Sequence, residues 1–190
     1  MEENLKSALH KAIAFLEENK IRYAIIGGIA LAQWEVARYT HDIDIKVLVP
    51  DIDYTKIRKL ITSTFPIEGR PHLPPNPLII AVLIDEVIVD FLLALPGYEQ
   101  LIIERAKQCD LEGFRAWVCS PEDLIIQKMI TGRGKDRPDI EALLIEQHGT
   151  LDEAYIEDWL AQFSEALDNP GLLSEFRDLQ QKTADLFNNN

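Results

Sequence analysis

Two aspartates, Asp42 and Asp44, flank one isoleucine in the segment THDIDIKV, which otherwise has the composition of a buried strand. Successive side chains of a β-strand point to opposite faces, so the two carboxylates share a face and their Cα atoms lie about 7 Å apart. Like charges this close repel each other unless a cation lies between them, and carboxylate oxygens are ligands that Mg²⁺ prefers. The spacing indicates a divalent-cation site, but a solvent-facing strand explains a bare D-x-D more simply.

A third aspartate, Asp90, lies within the apolar run VIVDFLLA. A charge in such a run needs a partner, because an unpaired charge in the protein interior costs free energy. One interpretation is a structural salt bridge, for instance to Lys46 or Arg38. The other, which we favour, is that Asp90 joins Asp42 and Asp44 in one cation site.

Two glycines, Gly27 and Gly28, follow the apolar run YAII and precede a predicted short helix. Glycine lets a phosphate approach the backbone closely, and the N–H groups of a strand-to-helix turn can bind an anion. A Gly-Gly pair by itself is more often just a tight turn. Together with the three aspartates, the pair indicates a site for a metal ion and a triphosphate, in which the glycines supply the triphosphate-binding half.

The periodicity of apolar residues predicts the elements that must position these groups. Two apolar runs that meet at Asp85 and Glu86 predict a hairpin, and Ser120 with Pro121 next predicts a helix start. The predicted helices cover residues 3–19, 29–38, 52–63, 98–108, 121–131, 138–147, 152–166 and 171–187, and the predicted strands cover 23–28, 42–49, the hairpin 78–95 and 114–120.

Lys128 shares the inward-facing side of the predicted helix 121–131 with Leu124, Ile125 and Met129. An inward lysine either extends its ammonium past the core or meets an anion. The sequence pattern around Lys128 favours neither interpretation over the other.

The chain of 190 residues is 47% hydrophobic and carries a formal net charge of −13. This charge argues against a protein that coats nucleic acid, although residues 139–190 account for −10 and leave −3 for residues 1–138. We expect a cytoplasmic protein without a membrane span, because the most apolar window, 78–95, contains three acidic residues. Cys109 and Cys119 are expected to be reduced thiols.

As a set, these residues resemble a known family. The segment GGIALAQWEVARYTHDIDI is similar to the nucleotidyltransferase superfamily of the polymerase-beta type, with its Gly-Gly turn, short helix, D-x-D strand and later third carboxylate. The pattern G-G followed by R-x-T-x-D-x-D most resembles the AbiEii/AbiGii toxin-like branch and the related lincosamide and aminoglycoside nucleotidyltransferases. The run SPEDLIIQKMITGRGKDRPDIEAL is also similar to that branch, so the resemblance covers about residues 20–146.

The resemblance implies an α/β nucleotidyltransferase fold with a mixed, twisted sheet flanked by helices. We predict a nucleotidyltransferase domain over residues 1–147 and a C-terminal helical extension, 148–190, packed on that domain. By the same resemblance, Asp42, Asp44 and Asp90 bind two Mg²⁺ ions, or Mn²⁺ in their place, and Asp90 helps to activate the acceptor hydroxyl.

The resemblance also implies a site for an NTP. Gly27 and Gly28 would hold the triphosphate through the backbone, and Arg38, Thr40 and Lys128 would contact the nucleotide. The implied reaction is Mg²⁺-dependent transfer of a nucleoside monophosphate to a hydroxyl, with in-line attack on the α-phosphate and loss of pyrophosphate. The acceptor stays open between an RNA 3′ end, a protein hydroxyl and a small molecule.

Two other functions are compatible with the same fold. One is a non-catalytic or regulatory partner in a toxin–antitoxin-like pair, in which the acidic C-terminal part binds a basic protein. The other is a simple metal-binding module. Turnover of a labelled NTP separates an enzyme from both.

Overall fold

The computed structural model of the protein describes residues 1–69 and 76–188. The chain folds into two compact units, Met1–Gln33 with Arg38–Cys119, and Trp34–Ala37 with Ser120–Asn190. The helices that follow Ser120 pack on one another, and the division into domains after residue 147 stays a prediction.

A six-stranded mixed sheet forms the centre of the first unit, with the strand order β3-β4-β2-β1-β6-β5. The pairs β2–β4 and β1–β6 are parallel, and the remaining pairs are antiparallel. The strands are β1 Tyr23–Ile26, β2 Asp42–Val47, β3 Ile79–Ile84, β4 Val87–Leu93, β5 Lys107–Asp110 and β6 Arg115–Val118. The helices of this unit are α1 Glu3–Glu18, α2 Gly27–Gln33, α3 Tyr54–Thr64 and α4 Tyr98–Glu104. The α/β fold with a mixed sheet and flanking helices is therefore confirmed.

The neighbouring strands β2 and β4 are apolar on one face and carry charges on the other. Helix α1 contacts both strands, and its apolar residues are buried. The side chains on the apolar face of the two strands are buried as well, and they are Ile43, Ile45, Val47, Val89, Phe91 and Leu93. Burial of this face fixes which side of the strands is left for charged groups.

The β3–β4 hairpin turns at the predicted residues. Asp85 and Glu86 have φ values of 49° and 65°, as a two-residue type I′ turn requires. The Asp85 carboxylate accepts hydrogen bonds from Ser7 (2.7 Å) and Lys11 (2.5 Å), which fasten the turn to α1.

The prediction of a helix over residues 98–108 is wrong at its end. Helix α4 stops at Glu104, and Lys107–Asp110 forms the edge strand β5, which pairs with β6. A turn that contains Gly113 at φ 107° joins the two strands, and Asp110 accepts a hydrogen bond from the Gly113 N–H. The four residues KQCD show no apolar alternation, so pairing with β6 decides their conformation.

Two predicted boundaries near the glycines are also wrong. Strand β1 ends at Ile26, and Gly27 and Gly28 are the first residues of α2. Helix α2 ends at Gln33, earlier than the predicted residue 38. It is therefore seven residues long, which makes its dipole a minor contribution to anion binding.

Four further helices, α5 Pro121–Thr131, α6 Arg137–Glu146, α7 Glu153–Ala166 and α8 Leu172–Asn188, make up most of the second unit. The predicted start at Ser120 is confirmed, because its hydroxyl accepts a hydrogen bond from the Asp123 N–H (3.2 Å). The buried Asp123 carboxylate in turn accepts one from Tyr155 of α7 (3.0 Å). In the described residues, no helix combines the length and apolar content that crossing a membrane requires.

Removal of the Ser120 cap should weaken the second unit. We expect Ser120→Ala to lower the free energy of unfolding by about 1 kcal/mol, because the N–H of Asp123 loses its partner at a buried helix start. Ser63→Ala on the exposed side of α3 serves as the control and should change it by less than about 0.5 kcal/mol. Urea unfolding of both variants provides the measurement, and equal stability of the two would contradict the capping role.

Candidate active site

The register of β2 against β4 brings the three aspartates onto one face of the sheet. In the parallel pair β2–β4, Asp44 lies opposite Asp90, and Asp42 lies opposite Ile88. Opposite residues in a parallel pair point to the same side, so Asp42, Asp44 and Asp90 are neighbours on the face away from α1. Asp90 is 6% exposed, whereas Asp42 and Asp44 are half-buried.

Gly27 lies directly against one of these carboxylates. Its φ is 67°, and a Cβ built there would overlap Asp44 Oδ2 and lie 3.0 Å from Asp44 Cγ. A side chain at this position would therefore be strained by the backbone and would displace Asp44. From the sequence, the close approach of a phosphate explains a glycine at position 27. The contact with Asp44 is a second reason for a glycine there, and the sequence does not reveal it.

Gly28 is constrained by the segment that leads into β2. A Cβ at Gly28 would lie 2.7 Å from Thr40 Cβ, closer than two such atoms can pack. The Thr40 hydroxyl lies 2.9 Å from Asp42 Oδ1 and 3.1 Å from the Asp42 carbonyl oxygen. Gly27 therefore lies against the D-x-D strand itself, and Gly28 lies against Thr40, which precedes that strand and is hydrogen-bonded to Asp42.

Lys46 continues the row of charged side chains on the same face of β2. It is 5% exposed, and its ammonium donates a hydrogen bond to Glu99 of α4. The other oxygen of Glu99 accepts one from the Leu95 N–H (2.7 Å). From the sequence, Lys46 is a candidate partner for Asp90, and Glu99 is not predicted, because a lysine in an apolar strand indicates that it needs an anionic partner but not which residue supplies it.

Lys128 lies in the second unit, within a buried cluster of charges. It is 9% exposed, and its ammonium is 3.1 Å from Asp136 Oδ1 and 2.7 Å from Asp139 Oδ2. Burial raises the pKa of Asp136, but hydrogen bonds from Arg133, Lys128 and Thr131 outweigh it and hold that pKa below its usual value. The Lys128 ammonium therefore contacts anions, as one of the two interpretations predicts. These anions are the carboxylates of Asp136 and Asp139. Its contact with a nucleotide stays a prediction.

The chemistry of the three aspartates suits Mg²⁺, since all offer carboxylate oxygens from adjacent backbone positions. Across residues 1–69 and 76–188, however, no group of three or more His, Cys, Asp or Glu side chains is arranged to hold a metal ion. Asp42 Oδ1 is hydrogen-bonded to the Thr40 hydroxyl.

A cleft of about 520 Å³ lies in the first unit, next to the segment 38–40 that leads into β2. Arg38, Tyr39 and Thr40 line one part of it, and Ile29 and Leu111 belong to its apolar lining. Its volume is within the range of about 300–1,000 Å³ that is typical of small-molecule sites. Thr40, which lines the cleft, is also hydrogen-bonded to Asp42 and so links the cleft to the D-x-D strand.

Comparison with known proteins identifies related sequences and folds. The family described as "Nucleotidyltransferase of unknown function (DUF6036)" matches residues 3–168. No curated protein sequence matches the chain.

Several solved structures share the fold. An antigenic nucleotidyltransferase-like protein from Paracoccidioides brasiliensis is 19% identical, covers 93% of both chains and has a TM-score of 0.52. The antibiotic-resistance factor ANT(2″)-Ia in solution is 17% identical over 88% of this chain and 95% of that chain, with a TM-score of 0.57. The crystal structure of ANT(2″)-Ia with adenylyl-2″-tobramycin is 16% identical over 84% of this chain and 96% of that chain, with a TM-score of 0.54.

The contact between Gly27 and Asp44 predicts an unequal effect of two alanine substitutions. Gly27 and Gly132 have similar φ values, 67° and 59°, but nothing lies within 4 Å of a Cβ built at Gly132. Both Gly27→Ala and Gly132→Ala should lose about 1 kcal/mol or more of stability from backbone strain. Gly27→Ala should lose more, because it also displaces the Asp44 carboxylate.

The comparison is made by thermal and urea unfolding of the two variants, of Asp44→Ala, and of Gly27→Ala combined with Asp44→Ala. Measured against Asp44→Ala alone, Gly27→Ala should then cost less than it does in the native protein, since no carboxylate occupies the space and only the Cβ at residue 44, 3.2 Å from a Cβ at Gly27, remains close. Equal losses for the two glycine variants, or an equal cost of Gly27→Ala with and without Asp44→Ala, would show that Gly27 does not pack on Asp44 as described.

Proposed function

Because the chain belongs to the DUF6036 family of nucleotidyltransferases, we propose that it transfers a nucleoside monophosphate from an NTP to a hydroxyl acceptor in a Mg²⁺-dependent reaction. The observation that carries the proposal is the β2–β4 register, which sets Asp44 opposite Asp90 with Asp42 on the same face. Three neighbouring carboxylates beside a glycine pair are what phosphoryl chemistry with a divalent cation needs. The AbiEii/AbiGii branch stays a prediction.

The reaction assigns a role to each group. The acceptor oxygen forms a bond to the α-phosphorus, the bond from the α-phosphorus to the bridging oxygen breaks, and pyrophosphate leaves. Asp90, the most buried of the three carboxylates, accepts the proton of the acceptor hydroxyl. Asp42, Asp44 and Asp90 would hold Mg²⁺ or Mn²⁺, which supplies neutralisation of the phosphate charge.

The triphosphate is proposed to lie along Gly27 and Gly28, with Arg38 as its cationic partner. Backbone N–H groups at a glycine pair can approach phosphate oxygens closely, because no Cβ intervenes. Arg38 offers planar donors that match phosphate oxygens, and it lies on the same short segment as Thr40. For Lys128, a nucleotide contact would have to compete with Asp136 and Asp139.

Among the three candidate acceptors, the cleft beside Thr40 favours a small molecule. Its volume of about 520 Å³ is that of a pocket for a compound rather than a surface for a polymer. Three acidic residues of its lining, Glu2, Asp110 and Glu112, outnumber its two cationic groups, Arg38 and the N-terminal ammonium, which disfavours the phosphate backbone of RNA. ANT(2″)-Ia, with the same fold, has been crystallised with adenylyl-2″-tobramycin, in which the adenylyl group is joined to a small molecule.

Incubation with α-labelled NTPs and Mg²⁺ tests both the reaction and the acceptor. Extract from cells that carry the gene is separated into low-molecular-mass, RNA and protein fractions, and each is offered to the protein. We expect pyrophosphate release with label transferred to the low-molecular-mass fraction. Label in RNA or protein would contradict the acceptor class but not the reaction.

Two variants and one control make the same experiment specific to the site. Asp44→Asn and Asp90→Asn should each lower the rate by about 100-fold or more, the size of effect expected for a charge that stabilises the transition state. Glu86→Gln, which changes an exposed carboxylate at the β3–β4 turn, should leave the rate unchanged. No turnover in any fraction, together with stoichiometric capture of one basic protein, would instead favour the regulatory partner of a toxin–antitoxin-like pair.

A further inference from the structure

Thr40 is held between the glycine pair and the D-x-D strand. Its Cβ packs on the backbone at Gly28, where a Gly28 Cβ would lie only 2.7 Å away. Its hydroxyl lies within hydrogen-bond distance of Asp42, through Oδ1 (2.9 Å) and the carbonyl oxygen (3.1 Å). A β-branched side chain has few χ1 rotamers, so packing on one side fixes where the hydroxyl points on the other.

From this geometry we infer that Thr40 is a positioning residue for Asp42: its hydroxyl orients the Asp42 carboxylate for cation binding. The inference rests on the proposed function, since it concerns the same cation site. It changes the role predicted for Thr40 from the sequence, which was direct contact with the nucleotide.

The hydrogen-bond capacity of the two groups supports this role. A hydroxyl has one proton, and the shorter of the two Thr40 contacts directs it to Asp42 Oδ1. A carboxylate has about four acceptor positions, so Asp42 keeps the rest of its lone pairs for a cation while Thr40 holds one oxygen. Hydrogen bonds from neighbouring groups commonly orient metal ligands in this way, and their loss costs about 10–100-fold in metal affinity.

The constraint also explains why both glycines matter to the same carboxylate row. Gly27 sets the space for Asp44, and Gly28 sets the position of Thr40, which holds Asp42. The glycine pair therefore positions both aspartates of the D-x-D, in addition to any contact it makes with a triphosphate.

The test uses Thr40→Val, which keeps the branched shape against Gly28 but removes the hydroxyl, and Thr40→Ser, which keeps the hydroxyl. Thr64→Val, at an exposed position of α3, is the matched control. The dissociation constant of Mn²⁺ is measured for the full chain without nucleotide by electron paramagnetic resonance. NTP affinity at saturating Mn²⁺ is measured in parallel by calorimetry.

We expect Thr40→Val to weaken Mn²⁺ binding by about tenfold, with Thr40→Ser and the control within about threefold of the native protein. NTP affinity at saturating Mn²⁺ should be nearly unchanged in all three variants, and the melting temperature without metal should move little. A structural role for Thr40 would instead lower the melting temperature and leave Mn²⁺ affinity intact.

Two results would overturn the inference while leaving the proposed function standing. In the first, Thr40→Val binds Mn²⁺ as tightly as the native protein does. In the second, Thr40→Val loses NTP affinity at saturating Mn²⁺, which would favour the role predicted from the sequence, direct contact of Thr40 with the nucleotide. Failure of the native protein itself to bind Mn²⁺ would overturn the proposed cation site, and the inference with it.

Discussion

The parallel pairing of β2 with β4 is the interaction on which the rest of the site depends. It sets Asp44 opposite Asp90, and a slip of one residue would move one of them to the other face of the sheet. The same slip would expose the buried apolar residues that pack against α1. Hydrophobic burial on one face therefore enforces the register that aligns the carboxylates on the other, so that stability and the candidate chemistry depend on one constraint.

The charged face has a physical cost, which neighbouring groups reduce. Neighbouring carboxylates repel one another, and a buried lysine needs an anion. Glu99 neutralises Lys46, and Thr40 supplies a hydrogen bond to Asp42. Gly27 gives Asp44 its space by lacking a side chain. The row of carboxylates and the buried lysine are locally unfavourable, which is common where a fold maintains a functional site, and these contacts offset part of that cost.

The sequence predicted what depends on local spacing. The D-x-D face, the turn at Asp85 and Glu86, and the cap at Ser120 all follow from side-chain periodicity or turn chemistry within a few residues. Strand β5 was missed because its partner strand, and not its own composition, decides its conformation. The ion pair of Lys46 with Glu99 could not be predicted either. The two residues lie 53 positions apart in the sequence, and the local pattern of apolar and charged residues does not predict such distant contacts.

The central claim is that one face of this sheet binds an NTP and divalent cations for nucleotidyl transfer. A crystal structure of the protein with Mn²⁺ and a non-hydrolysable NTP analogue, recorded with anomalous diffraction, tests it most directly. The account predicts anomalous peaks bonded to Asp42, Asp44 and Asp90, with the triphosphate against Gly27 and Gly28. A nucleotide bound elsewhere, or Mn²⁺ absent from these carboxylates, would contradict it.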